Sequence, residues 1–392
     1  MMVFGALFIS ASLFGLGFVE KIETRQQKLF SLFNVVQFRN DPCRSNMRGS
    51  GVGALQRNGT CLTVSECTDQ GGSLAGGCAA GFGSCCVFFA RSDLSTVRQS
   101  CAYLQNPEFP SPYRQMQPIR YTVAKLNQEI CALRLDFDTF SILGLGGSQE
   151  LTRDACRDRF TILSSSNPPI PTICGQNMGQ HVYVDLGMDS SDLAQLNFEF
   201  SGTTNIRMWD IKVSQINCRS SRRPPNGCLQ YHTGLSGQIT TFNYNALNDN
   251  HLPNQRYNVC IRREFGFCCV QYKACGVVPG STDPMSAFSI STKDANGNTA
   301  LGNVDDSCTL DYIAIPGSNV RCDRSGRGGS NRFCGVFLNP IVDSMAFTEI
   351  CTCVDPFRLE VFTDMAPDGA DRSIPNTSQS KGVCLEWNQI QC

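Results

Sequence analysis

The sequence predicts an all-β chain of disulfide-stapled sandwiches, and three observations carry that expectation. Twenty-three cysteines are spread through 392 residues, a density that belongs to oxidising surroundings outside the cytosol. Thirty-five glycines and 18 prolines, with plentiful Ser, Thr and Asn, cut the chain into short pieces, and no stretch concentrates helix formers. Where apolar residues recur they alternate with polar ones, as in a strand with one buried face.

The chain opens with an uncharged apolar run, Met1 to Phe18, shorter than the roughly 20 residues of a full membrane span. Residues 1–18 are expected to be a cleaved secretory signal, with Gly15-Leu16-Gly17 at the cleavage point. An uncleaved anchor is the alternative. No later segment is long and apolar enough to span a bilayer, so the remainder is expected to be secreted and extracellular. Residues 19–42 form an apolar linker or pro-segment whose Lys28 to Phe38 run is expected to dock on a neighbouring module. A membrane-active role for it is the alternative. The balance of 33 basic against 34 acidic residues supplies no global field for nucleic acid or an anionic membrane.

Residues 43–90 crowd six cysteines into a Gly-rich stretch: Cys43, Cys61, Cys67, Cys78 and the adjacent Cys85-Cys86. So short a segment needs bridges in place of a core, and its sequence alone leaves the pairing open. The order of these cysteines resembles the clip module of arthropod secreted proteins. That resemblance implies Cys43 with Cys85, Cys61 with Cys78, and Cys67 with Cys86.

A second pattern occupies residues 98–220. Leu133, Leu135 and Phe137 alternate with Arg134, Asp136 and Asp138. Val182, Val184 and Leu186 repeat the alternation, as do Leu196, Phe198 and Phe200, and Trp209, Ile211 and Val213. Cys101, the Pro110-Ser111-Pro112-Tyr113 turn, Cys131 with its phenylalanine-rich strand, and Cys156 with Cys174-Gly175 together resemble the CUB domain, an extracellular β-sandwich. The resemblance implies the pairs Cys101 with Cys131 and Cys156 with Cys174. Arg207-Met208-Trp209 departs from it, standing where a Gly-Phe strand start is usual.

Arg222-Arg223-Pro224-Pro225 reads as a stiff, exposed connector. Residues 226–392 then resemble a divergent second CUB-like sandwich. Cys228 and Cys260 echo the first cysteine pair, Cys308 to Ile313 and Cys322 to Cys334-Gly335 echo the second, and Lys381 to Trp387 resembles the closing strand. Phe357, Leu359 and Val361 alternate like the strands before them. The fold expected is therefore tandem CUB-like sandwiches of jelly-roll type behind a small clip-like module. The extra cysteines Cys268, Cys269, Cys275, Cys351, Cys353, Cys384 and Cys392 have no assignable partners, and an odd total leaves at least one thiol free, removed or joined to another chain.

Catalysis is not expected. No Gly-Asp-Ser-Gly-Gly loop occurs, and none of His181, His232 and His251 has the surroundings of a catalytic base. His181, beside alternating strand residues, reads as a structural histidine. No cofactor is required, and calcium is the one ion the resemblance admits, because many CUB domains hold it on acids around the third cysteine. In the second unit this implies Asp311, Asp364 and Asn303, with Asp305 or Asp306 substituting for the glutamate that Asn303 replaces. In the first, Glu150 and Asp158 have the spacing, but Phe200-Ser201-Gly202-Thr203 lacks the third acid. No C-x-x-C spacing points to zinc. Arg321, Arg324, Arg327 and Arg332 read as a solvated loop, and Asn58 and Asn376 open glycosylation sequons in turn-rich sequence. The expected role is noncatalytic recognition or scaffolding, with protein or glycan partners bound by sandwich loops. The alternatives are a matrix or cuticle component in disulfide-linked oligomers, and a clip-dependent regulator of a serine protease cascade.

Overall fold

Alternation in the sequence becomes burial in the structure. In the computed structural model Leu133, Leu135, Phe137, Val182, Val184, Leu196, Phe198, Trp209, Ile211, Val213, Phe357, Leu359 and Val361 are all buried, so each of these strands turns its apolar side to a core. The structure describes residues 37–45, 56–145, 156–166, 169–204, 206–244, 251–276, 287–291, 300–322, 329–364 and 380–392. The signal at 1–18, most of the Lys28 to Phe38 run, Glu150, Arg324, Arg327 and Asn376 lie outside them.

Strands dominate, and among the described residues the α-helix is Val64–Asp69 alone. Thr63 caps it, taking the Glu66 N–H while the Glu66 carboxylate takes the Thr63 N–H. Around this helix a four-stranded sheet runs in the order Pro42–Arg44, Asn58–Leu62, Gly83–Val87, Ser73–Cys78. Cys43–Cys85, Cys61–Cys78 and Cys67–Cys86 close the knot.

A four-stranded sheet (Arg159–Ser164, Leu193–Glu199, Ile119–Ala124, Ser95–Val97) and a five-stranded one (His181–Asp185, Ile130–Ser141, Met208–Asn217, Cys101–Gln105, Phe89–Ala90) follow. Their inner faces interleave Phe137, Phe140, Phe160, Phe198 and Trp209, with the Phe198 and Trp209 rings stacked at 4.3 Å. A six-stranded sheet then runs Cys228–His232, Arg256–Ile261, Phe357–Phe362, Tyr312–Ala314, Arg332–Gly335, Gly302–Val304. Opposite lie Ser236–Thr240, Gly382–Gln391, Phe267–Ala274, Ile350–Thr352 and Ser318–Asn319, with Phe288–Ser289 beside Gly382–Gln391. Trp387 and Tyr272 are buried between these layers. The fold class is thus all-β, in several disulfide-stapled sheets.

Two expected cysteine pairs are corrected. Cys101 lies opposite Ser214, and Ser214 lies opposite Arg134, so Cys131 is two strands away and displaced along the strand. Two strand spacings are about 10 Å, beyond the reach of a disulfide. Cys131 instead bonds Cys218, which directly follows the neighbouring strand, and Cys101 is the free thiol. Likewise Cys322 follows Ser318–Asn319, whose Asn319 is paired with Cys351, and it bonds Cys351, while Cys334 bonds Cys308. Cys156–Cys174, Cys228–Cys260, Cys268–Cys392, Cys269–Cys353 and Cys275–Cys384 complete the network.

The connector is also corrected. Pro224 is buried and Arg223 half-buried, because the sandwiches pack on each other. The Gln180 amide donates to Thr240 Oγ1 and the Thr241 carbonyl, Asn243 N–H to Asn177 Oδ1, and Tyr231 N–H to His181 Nε2. Gly175, at φ +77, admits this contact, since a Cβ there would overlap the Asn243 side chain.

Candidate functional site

The acids singled out in the second sandwich do not gather as one ligand set. Asn303 pairs with Cys334 at the sheet's outer strand. Asp305 turns its carboxylate to the backbone amides of Asn331 at 2.6 Å and Arg332 at 3.2 Å. Asp311 sits beyond the opposite end of Tyr312–Ala314, and Ala314 is the residue paired with Arg332. Three residues along a strand put Asp305 about 10 Å from Asp311. Asp364 is brought in, its N–H donating to Asp311 Oδ1 at 2.9 Å. The third group is one that no spacing rule indicated: the Nε2 of His251 stands 3.6 Å from Asp311 Oδ2, both side chains almost wholly buried. Calcium takes six to eight oxygens, and among the described residues the acids named for it are brought together only at Asp311 and Asp364.

Asp158 holds the corresponding place in the first sandwich, directly before the strand that follows the third cysteine, and it too is buried. Arg207 meets it with two charge-assisted bonds, Nε to Oδ2 at 2.7 Å and Nη2 to Oδ1 at 2.8 Å, and adds bonds to the carbonyls of Gln115, Ser201 and Gly202. The guanidinium therefore occupies the centre where a cation would sit, and the departure at Arg207 from the usual strand start acquires a physical reason.

The knot covers part of the first sandwich. Arg57 bonds Asp210 and Asp138 and lies 4.5 Å over the Tyr103 ring, and Asn58 N–H donates to the Tyr103 hydroxyl at 2.8 Å. This explains why Asp210, on the outward side of an alternating strand, is fully buried. It also moves the Asn58 sequon from an exposed turn to a half-buried strand, with Thr60 Oγ1 at 3.1 Å from Ser100 Oγ. The free thiol lies under the same seam, Cys101 Sγ at 3.7 Å from the Asn58 carbonyl, and burial pushes its pKa up to about 11.

A cluster of exposed apolar side chains with a fixed geometry occupies the 337–349 loop. Ile341, Val342 and Met345 are 68%, 49% and 74% exposed. Asn339 holds the loop from within, its amide donating to the Ala346 carbonyl and Thr348 Oγ1 and its Oδ1 accepting the Ile341 N–H. Asp343 N–H donates to the Gly302 carbonyl and Gly302 N–H to that of Ser344, tying the loop to the sheet edge. Asp343 itself turns at φ +59, a conformation a non-glycine residue adopts at a cost. Sequence reasoning missed this loop, which contains no cysteine and no alternating apolar pattern.

A crevice of about 720 Å³ between the sandwiches is lined by Tyr183, Asp185, Arg256, Arg358 and Glu360, and Arg256 and Glu360 compensate each other at 3.4 Å. The Sγ atoms of Cys269, Cys351 and Cys353 lie together, but each is engaged in a disulfide and offers no thiolate to a metal. His181 and His232 face each other across the sandwich contact with ring centroids 5.0 Å apart. Burial holds both below the usual imidazole range, at about 3 and about 4, with Arg134 adding to the effect.

Residues 225–390 match the family model of the animal CUB domain. Among solved structures, the CUB1-EGF-CUB2 domains of rat MASP-1 align at 13% identity over 75% of this chain and 99% of that one, with a TM-score of 0.24. The CUB1-EGF-CUB2 domain of human MASP-1/3 aligns at 13% identity over 74% and 100%, with a TM-score of 0.24. The MASP-1 CUB2 domain bound to Ca2+ aligns at 17% identity over 31% and 98%, with a TM-score of 0.25. No curated protein sequence matches the chain.

Proposed function

We propose that this chain is a secreted, noncatalytic binding protein whose second sandwich meets an extracellular partner through the 337–349 loop. A CUB domain is present over 225–390, and the units 43–90, 98–220 and 226–392 are the proposed modules of the mature chain. One observation carries the reading: three large apolar side chains are held out in water on a backbone that Asn339 makes rigid. Exposed apolar surface of that kind is stabilised by covering it, and a preformed loop loses little conformational freedom on binding. The apolar tip favours a protein over a glycan as partner.

The placement of Cys101 under the knot weighs against a matrix component cross-linked through the unpaired thiol, since a shielded thiol of raised pKa reacts slowly. A clip-dependent protease regulator would have to use the side of the knot turned away from Tyr103 and Asp210.

The test is affinity capture from extracellular fluid by the intact chain and by an Ile341→Glu/Met345→Glu variant. Partners held by the wild-type chain and lost from the variant support the reading. Equal capture by both, or covalent self-oligomers alone, would overturn it.

A further inference from the structure

We propose that the outward face of the six-stranded sheet in the second sandwich is a docking surface for a sulfated polysaccharide chain. The six strands contain three arginines, Arg256, Arg332 and Arg358, and one acid, Glu360. Alternation puts all four on the same side. Tyr257, Leu359, Val361, Ile313 and Phe333 turn inward and are buried, so the residues between them face out. Register then sets these side by side: Arg256 opposite Phe362, Phe362 opposite Tyr312, and Ala314 opposite both Glu360 and Arg332. Arg332, which the sequence assigns to a solvated loop, is a strand residue of this face.

At the centre of the face the half-buried rings of Tyr312 and Phe362 stack, with centroids 4.9 Å apart and planes 15° from parallel. The Arg332 guanidinium lies 4.7 Å over the Tyr312 ring, and the residue is exposed. Arg256 is paired with Glu360 at 3.4 Å, whereas Arg332 and Arg358 have no carboxylate partner among the described residues. Asp305, at the margin, turns its carboxylate to the backbone amides of Asn331 and Arg332. The strands thus present three guanidiniums against one carboxylate, on a chain whose charges otherwise balance, and the complement of such a face is an anion.

The cations are spread rather than convergent. Arg256 and Arg332 stand on strands three places apart in the sheet, about 14 Å across it, and Arg358 is about 13 Å along its strand from Phe362. That spread suits anionic groups repeated along a chain, not one small anion. Guanidinium forks match the paired oxygens of sulfate and carboxylate groups, and the ring stack offers a flat apolar surface to the C–H face of a sugar ring. A peptide strand would need an unpaired sheet edge or a groove for its backbone. The central strands here, Phe357–Phe362 and Tyr312–Ala314, are paired on both sides and present side chains alone. At one side the face runs into the crevice lined by Arg256, Arg358 and Glu360, which supplies a lateral wall. The 337–349 loop needs no anion, so failure of one proposal leaves the other standing.

The experiment applies the full oxidised chain to immobilised heparin, a sulfated polysaccharide, and measures affinity for soluble heparin over a range of salt. The wild-type chain is expected to be retained at physiological salt and released by added salt. Arg332→Gln/Arg358→Gln should bind about 10-fold more weakly or worse, with the dependence of log affinity on log salt shallower by about two, one for each guanidinium lost. Arg98→Gln/Arg120→Gln, which removes two exposed arginines from the first sandwich, should bind as the wild type does. Labelling the arginines of the wild-type chain with a dicarbonyl reagent is independent of how any variant folds, and heparin should shield Arg332 and Arg358. No retention, equal binding by Arg332→Gln/Arg358→Gln, the same loss in both variants, or Arg332 and Arg358 labelled as fast with heparin as without it would each overturn the proposal. Binding to poly-glutamate as tight as to heparin would overturn it in favour of an acidic protein surface.

Discussion

Acidification from pH 7 to pH 5 is expected to cost the folded chain about 4 kcal/mol through two imidazoles. His181 and His232 meet at the sandwich contact, close to Tyr183, Tyr231, Trp387, Arg134 and Asp136. Burial keeps them neutral in the fold down to about pH 3 and about pH 4, whereas in the unfolded chain they titrate near 6.5. Because the folded values are depressed, the stabilisation is present in full above about pH 6.5 and is lost as pH falls toward the folded values. At pH 5 the unfolded chain gains a proton on each ring that the folded chain refuses. That gap of about 1.5 pH units is worth about 2 kcal/mol per ring. The assay is denaturant unfolding of the oxidised chain at both pH values, for wild type and for His181→Gln/His232→Gln. The account expects the variant, whatever its absolute stability, to lose most of the pH dependence. An equal loss of stability in both proteins would refute the assignment.

Other outcomes follow from the buried charges and the thiol. Arg207→Met strands the Asp158 carboxylate and should cost about 3–5 kcal/mol, whereas Arg207→Met combined with Asp158→Leu should recover much of that loss in the same unfolding measurement. Arg57→Ala leaves Asp210 without its ion-pair partner and should loosen the knot from the sandwich, read as faster hydrogen exchange at the Asn58 N–H that donates to Tyr103. Cys101 should alkylate slowly in the native chain and rapidly in denaturant, and Cys101→Ser should leave the mass on a nonreducing gel unchanged; rapid native alkylation would show the seam to be open.

Much of the strand layout was legible because alternation is local: Leu133 to Phe137 and Phe357 to Val361 declare their buried side within five residues each. Register is not local. The partner of Cys131 is fixed by which residue of Met208–Asn217 lies beside it, and only the sheet brings Cys218 there. The same limit hid the charges. Asp158 reads as a candidate ligand until Arg207, 49 positions on, closes on it, and Asp210 reads as a solvated strand residue until Arg57 arrives from another module. His251 carried no signal at all, because a lone histidine acquires meaning only from the aspartate that folding sets against it.

The central claim is that recognition resides in the apolar loop of the second sandwich. Its most direct measurement is hydrogen-exchange footprinting of the chain bound to its captured partner. The account predicts protection concentrated at residues 337–349 and the adjoining edge at Gly302–Val304. Protection confined to the knot or to the first sandwich, with Ile341 to Met345 still exchanging freely, would contradict it.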